Sequence, residues 1–79
     1  MNPTVFSVGP YRFFFFSREE PRPHVHVISS GGEAKFWIEP VVALATFEGL
    51  KPAQLRKLQR IIEERRDEIK TAWRKHFGV

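Results

Sequence analysis

Val25 and Val27, followed by Ala34, Phe36 and Ile38, take alternate positions on either side of a Ser30-Gly31-Gly32 turn signal. A strand turns successive side chains to opposite faces, so His24 to Ser29 and Glu33 to Ile38 read as a hairpin with one wholly apolar face. That face needs a cover, and the chain supplies one further on. From Ala53 to about Phe77 the apolar residues recur at helical spacing: Leu55, Leu58, Ile62, Ile69, Trp73 and Phe77 form a stripe with Ile61 and Ala72 on its shoulder. Pro52 suits a first helical turn and Gly78 supplies the stop. Two periods of different length thus define a single apolar interface. The fold class expected is α+β, an antiparallel sheet of four to five strands in two hairpins packed on one long C-terminal helix.

The remaining strands come from the aromatic N-terminal part. Thr4 to Val8 meets Tyr11 to Ser17 across Gly9-Pro10, a pair that fits a type II′ turn because glycine accepts the positive φ and proline the following position. That turn sets Val8 opposite Tyr11, Phe6 opposite Phe13 and Val5 opposite Phe14. One face then carries Phe6, Val8, Tyr11, Phe13 and Phe15, and the other carries Val5, Ser7, Arg12, Phe14 and Phe16. Arg18 to Pro23 is polar and punctuated by proline, a connection. Val41 to Phe47 admits two readings: the paired valines favour a short strand, while Glu39-Pro40 would also open a short helix.

At 79 residues the chain makes one domain, 1–79, which buries only about 60% of its unfolded surface and so needs large side chains in its core. Eight Phe, two Trp and one Tyr provide them. There is no cysteine, which removes disulfides and thiolate metal sites and suits a reducing cytoplasm. MNPTVFSVGP lacks the basic region and apolar run of an export signal, and no stretch approaches the roughly 18 apolar residues of a membrane span. The expected location is cytoplasmic, with no membrane partner. Residues 1–50 carry four basic and five acidic side chains, whereas residues 51–79 carry nine basic and four acidic. The positive field therefore belongs to the helical part, and it suits nucleic acid, an acidic partner or a merely solvated face.

Few residues carry chemistry. With a two- or four-residue loop in the second hairpin, His26 lies opposite Lys35 and His24 opposite Trp37, all four on the face away from Phe36. A three-residue loop shifts the partners by one and keeps the alternation. His24 and His26 point the same way, but two imidazoles do not hold zinc, and Glu33 is the nearest third ligand. No metal or other cofactor is expected. The alternatives are half-exposed rings stacked on Trp37, or an acid/base site in which Lys35 steadies an anion such as phosphate. No serine, cysteine or carboxylate pair completes a catalytic set, so enzymatic activity stays open. His76, in the last helical turn, suits the final carbonyls.

Phe14 and Phe16 beside Arg12 suit either a base-stacking platform or a surface covered by a second chain. VVALATFEGLKPAQLRKL has roughly helix-turn-helix spacing and would bring Lys51, Arg56 and Lys57 to DNA phosphates, although the following helix is long for a recognition helix. Those three cations also crowd the start of the helix, where its dipole disfavours them. Further along, Arg60 and Glu64 have the spacing of an ion pair.

PTVF, GPYRFFFFS, PRPHVHV, GEAKFWIEPV and DEIKTAWRKHF, taken in order from Pro3 to Phe77, resemble the small bacterial domain of unknown function 4160 family. The family's double proline before HVHV is replaced here by Pro21-Arg22-Pro23. The resemblance implies that His24, His26, Gly32, Glu33, Lys35 and Trp37 are signature positions, without roles attached. It also implies a gene encoded beside a second small domain, the two forming a toxin-antitoxin-like module. Three functions follow as expectations: an interaction component binding a homodimer mate or the operon partner, a small ribonuclease-like toxin using His24 or His26, and a DNA-binding regulator working through the basic helix.

Overall fold

Gly9, at φ +55°, takes the first central position of the turn that joins β1 (Thr4–Val8) to β2 (Tyr11–Phe14) in the computed structural model, which describes residues 4–16 and 21–78. Val8 pairs with Tyr11 and Phe6 with Phe13, as the two-residue loop requires. Beyond Phe6 the register slips, so that Thr4 and not Val5 stands opposite Phe14. Val5 is the extra residue of a bulge, and it packs against the core instead of the outer face to which strict alternation assigns it. The expected end of β2 at Ser17 lies outside the described residues; the strand itself stops at Phe14.

β3 (His24–Ser29) and β4 (Gly32–Trp37) are joined by the two residues Ser30 and Gly31, which sets His26 opposite Lys35 and His24 opposite Trp37. β2 also pairs with β3, so the two expected hairpins merge into one meander. The fifth strand, β5 (Ala43–Glu48), settles the ambiguity at Val41 to Phe47 in favour of a strand. The helix-turn-helix reading of 41–58 therefore lacks its first helix. The sheet runs in sequence order, β1-β2-β3-β4-β5, every neighbour antiparallel. β5 has its own bulge: Lys35 faces Thr46 while Phe36 faces Leu44, leaving Ala45 as the extra residue. Leu44 thereby joins the core side and Thr46 stays in line with Lys35. Both edge strands are thus kinked, as natural sheets often arrange to resist edge-to-edge pairing.

Val25, Val27, Ala34, Phe36 and Ile38 are all buried, together with Tyr11, Phe13 and Phe15. Over them lie Leu58, Ile62, Ile69 and Trp73, with Leu55 and Phe77 partly buried at the margins. The helix above is not one rod. It divides into α1 (Pro52–Glu64) and α2 (Arg66–Phe77) at Arg65, whose φ of −111° and ψ of 22° leave the helical region. The cause lies in the stripe itself: the next core-facing positions after Ile62 are 65 and 66, and both are arginine. A guanidinium buried without partners is costly, so the two are turned aside. Arg65 lies over the Phe6 ring, 3.8 Å from its centroid. Arg66 donates from Nε to the Ile38 carbonyl (3.1 Å) and from Nη2 to the Pro40 carbonyl (3.2 Å), tying α2 to the β4–β5 connection, in which the Glu39-Pro40 peptide is cis. The backbone ladder still spans the kink, from Arg65 N–H to Ile61 O (3.0 Å) and from Ile69 N–H to Arg65 O (3.1 Å).

At the start of α1 the Lys51 N–H donates to Gln54 Oε1 (2.8 Å), and the Gln54 amide reaches the Tyr11 hydroxyl (3.2 Å), linking helix to sheet. Gly78 ends α2 in the left-handed conformation with its N–H on the Arg74 carbonyl (2.8 Å). A second glycine device is less local. Gly49, at φ +78°, passes so close to Gly32 that a Cβ on Gly32 would lie 2.8 Å from the Gly49 carbonyl carbon and inside the Glu48 carbonyl oxygen. Two backbones meet there with no room for a side chain.

Ile62 is fully buried, so Ile62→Ala is expected to lower unfolding free energy by about 2–5 kcal/mol in a urea titration. A loss below about 1 kcal/mol would show that α1 does not close the core. Gly49→Ala, strained at φ +78° and short of space, is expected to cost at least about 1 kcal/mol by the same measurement.

Candidate functional site

The face of the sheet opposite the helices is ordered in transverse rows by strand register. Phe14 on β2, His26 on β3, Lys35 on β4 and Thr46 on β5 form one row. The next consists of Arg12, Ile28, Glu33 and Glu48, and on the other side lie His24, Trp37 and Ala43. A groove of about 290 Å³ opens over the first two rows, lined by Phe14, Phe16, His26, Glu33, Lys35, Thr46, Phe47 and Glu48 among others. The register thus brings His26, Lys35, Glu33, Phe14 and Phe16 into one concavity, because β2 pairs with β3.

The two histidines have different settings. His26 is half-buried between Phe14 (ring centroids 5.5 Å apart, stacked) and Phe16 (4.4 Å, edge-on), with its ring in the groove wall. His24 is completely buried, 5.5 Å from the Trp37 ring and 5.1 Å from Trp73 on α2. Its Nδ1 lies 2.7 Å from the Arg22 carbonyl, and since a carbonyl oxygen only accepts, that nitrogen carries a proton. His24 lies outside the groove lining and fills the junction between sheet and helix. Between the two imidazoles the centroid distance is 5.1 Å. Among the described residues no group of three or more His, Cys, Asp or Glu side chains is placed to hold a metal ion, and Glu33 lies one row from His26, beside Glu48.

The aromatic face is less open than strand alternation suggests. Phe14 is only 6% exposed, with Phe16 edge-on at 5.3 Å and the Arg12 guanidinium 4.8 Å above its ring. Arg12 also donates to Thr4 Oγ1 (2.6 Å). Trp37 is flanked by two cations, Arg22 at 4.2 Å and Lys35 at 4.4 Å from the ring. Arg22 in turn donates to the Glu39 carbonyl (2.8 Å), and Ile38 N–H reaches the Pro23 carbonyl (3.0 Å), which fastens the proline segment to the end of β4. The ring left accessible at the groove is Phe16 (39%), while Phe47 (54%), paired with the core-facing Ala34, is exposed at the edge on the helix side of the sheet. Nothing in the 41–47 pattern singles out Thr46 or Glu48 as groove residues, because their placement follows from the bulge at Ala45.

Lys51, Arg56 and Lys57 are exposed on the helical layer, which covers the other face of the sheet, and they do not join the groove. His76 lies against Phe15 (6.0 Å) and Phe77 (4.4 Å). Ion pairs among the described residues include Arg65 with Glu68 (3.0 Å) and Lys70 with Glu39 (3.4 Å). The Arg60–Glu64 pair that helical spacing favours is not formed.

These settings separate the histidines experimentally. His24→Ala is expected to destabilise the fold by about 1–3 kcal/mol in urea, since it removes a buried ring and leaves the Arg22 carbonyl without its donor. His26→Ala is expected to cost less than half as much. Equal losses would mean that the two rings share one structural role.

No curated protein matches the chain, and no solved structure does. A family described as Domain of unknown function (DUF4160) matches residues 11–74, which span β2 through most of α2 and include every groove residue. The chain belongs to the DUF4160 family of domains of unknown function.

Proposed function

We propose that this domain is a protein-interaction module acting in the cytoplasm, the partner-binding half of a toxin-antitoxin-like pair, and that its partner docks on the open sheet face. The observation that carries this reading is the groove with one accessible ring, Phe16 (39%), on its wall and the polar row of Lys35 and Thr46 on its floor, beside the β5 edge of the sheet. Interface energy concentrates on a few aromatic side chains set in a concavity, and the other rings of this face already have cations or neighbours against them. The partner we propose is a different chain, because a symmetric dimer whose axis passes near the Glu33–Glu48 cross-strand pair would set four carboxylates together.

A second reading draws on one further observation: His26 and Lys35 line the same groove as cross-strand neighbours. That juxtaposition suits acid/base cleavage of RNA with His26 transferring a proton and Lys35 near the phosphate. His24, buried under Trp73, has no part in it.

Co-expression with the tagged neighbouring gene product tests both. A stable complex is expected, weakened at least about 30-fold by Phe16→Glu or Lys35→Glu in variants with unchanged circular dichroism. A complex indifferent to both substitutions overturns the docking face. A dimer of the chain alone, dissolved by the same variants in sedimentation, makes the mate a second copy. RNA cleavage by the isolated domain that disappears in His26→Ala favours the second reading.

A further inference from the structure

The two helices obey different electrostatic rules. α2 follows the helix dipole, with Asp67 and Glu68 in its first turn and Arg74, Lys75 and His76 in its last. α1 has no acidic residue in its first turn and no basic one in its last; instead Lys51 caps it and Arg56, Lys57 and Arg60 follow within two turns. At 100° per residue the last three share about 100° of arc on the side away from the core. All four are exposed, and among the described residues none forms a salt bridge. Partners are within reach, because Glu63 and Glu64 stand three and four residues beyond Arg60. Lys51 stands where the helix dipole disfavours it, and Arg56, Lys57 and Arg60 follow beyond the first turn without closing ion pairs to the two glutamates.

The character of the surrounding surface narrows what such a patch fits. The other exposed positions of α1 are Pro52, Ala53, Glu63 and Glu64, so the face offers no large apolar side chain to enter a lipid layer and no aromatic ring on which an unpaired base could stack. What remains is positive charge on the N-terminal part of a rigid rod, with Glu63 and Glu64 at the far end of the same arc, and the positive part matches phosphates whose bases are already paired.

We propose that the cations at the N-terminal end of α1, Lys51 at its cap and Arg56, Lys57 and Arg60 on its outer arc, bind the phosphodiester backbone of a nucleic-acid duplex without reading its sequence. This site lies on the layer opposite the groove, so partner docking and duplex binding use separate surfaces.

Fluorescence anisotropy with labelled 20-base-pair duplexes of unrelated sequence, titrated between 50 and 200 mM salt, tests the proposal. Binding independent of sequence is expected, with log K falling against log salt at a slope of about −3 to −4 for B-DNA if all four cations meet phosphates. The Arg56→Ala, Lys57→Ala, Arg60→Ala triple variant is expected to make the slope shallower by about 2.7. Arg74→Ala with Lys75→Ala serves as the control and is expected to leave it unchanged. Running DNA and RNA duplexes in parallel shows which backbone is preferred. No binding at 50 mM salt overturns the proposal, as does an unaltered slope in the triple variant or equal loss in the control. Tighter binding of polyglutamate or of anionic vesicles at equal charge would assign the patch to an acidic protein or a membrane and likewise overturn it.

Discussion

Burial of Val25, Val27, Phe36 and Ile38 beneath Leu58, Ile62 and Ile69 governs the direction of nearly every other side chain in this protein. A strand alternates with a period of two, so once those residues face the helices, His26, Lys35 and Glu33 must face away. A slip of one position in β3 or β4 would bury Lys35 and expose Phe36, a double penalty that pins the register. The groove is in this sense a by-product of the core: its floor is the reverse side of the best-packed strands. This arrangement also gives it rigidity, since side chains standing on central strands have less freedom than those on loops.

The central pairing was legible in the sequence because two independent periods pointed to one interface. His26 opposite Lys35 and His24 opposite Trp37 needed only the alternation and a two-residue turn. What alternation misses is the places where one residue is inserted. Val5 and Ala45 are ordinary apolar residues whose neighbours give no sign of a bulge, yet each reassigns the faces of its strand. The break at Arg65 was hidden for a different reason. Neither proline nor glycine marks it, and the stripe reads as continuous if the gap from Ile62 to Ile69 is passed over. Attention to that gap, filled by two arginines, would have revealed it. The difference between the histidines was beyond the sequence because His24 is buried by Trp73, a contact between residues far apart in the chain.

Cations play several parts on this small surface. Arg12, Arg22, Lys35 and Arg65 lie over aromatic rings, which gives the charge a favourable neighbour and the ring a cover that keeps its polar end in water. By this means a chain with eight phenylalanines avoids a broad sticky face. Arg66 is used differently, as a donor that fastens the helix to the carbonyls of the β4–β5 connection. The cations of α1 do neither, and in this they are like Arg74 and Lys75 in the last turn of α2.

The meander order of the strands bears on how the molecule is made. Each strand finds its partner in the segment synthesised immediately before it, so pairing closes only short loops and can proceed quickly as the chain emerges from the ribosome. The cover arrives last. Until α1 and α2 have been synthesised, an assembled sheet would present its entire apolar side to the surrounding solution, with Phe13, Phe15 and Phe36 in the open. Nascent chains stalled before the helices are consequently the form of this protein most dependent on chaperones.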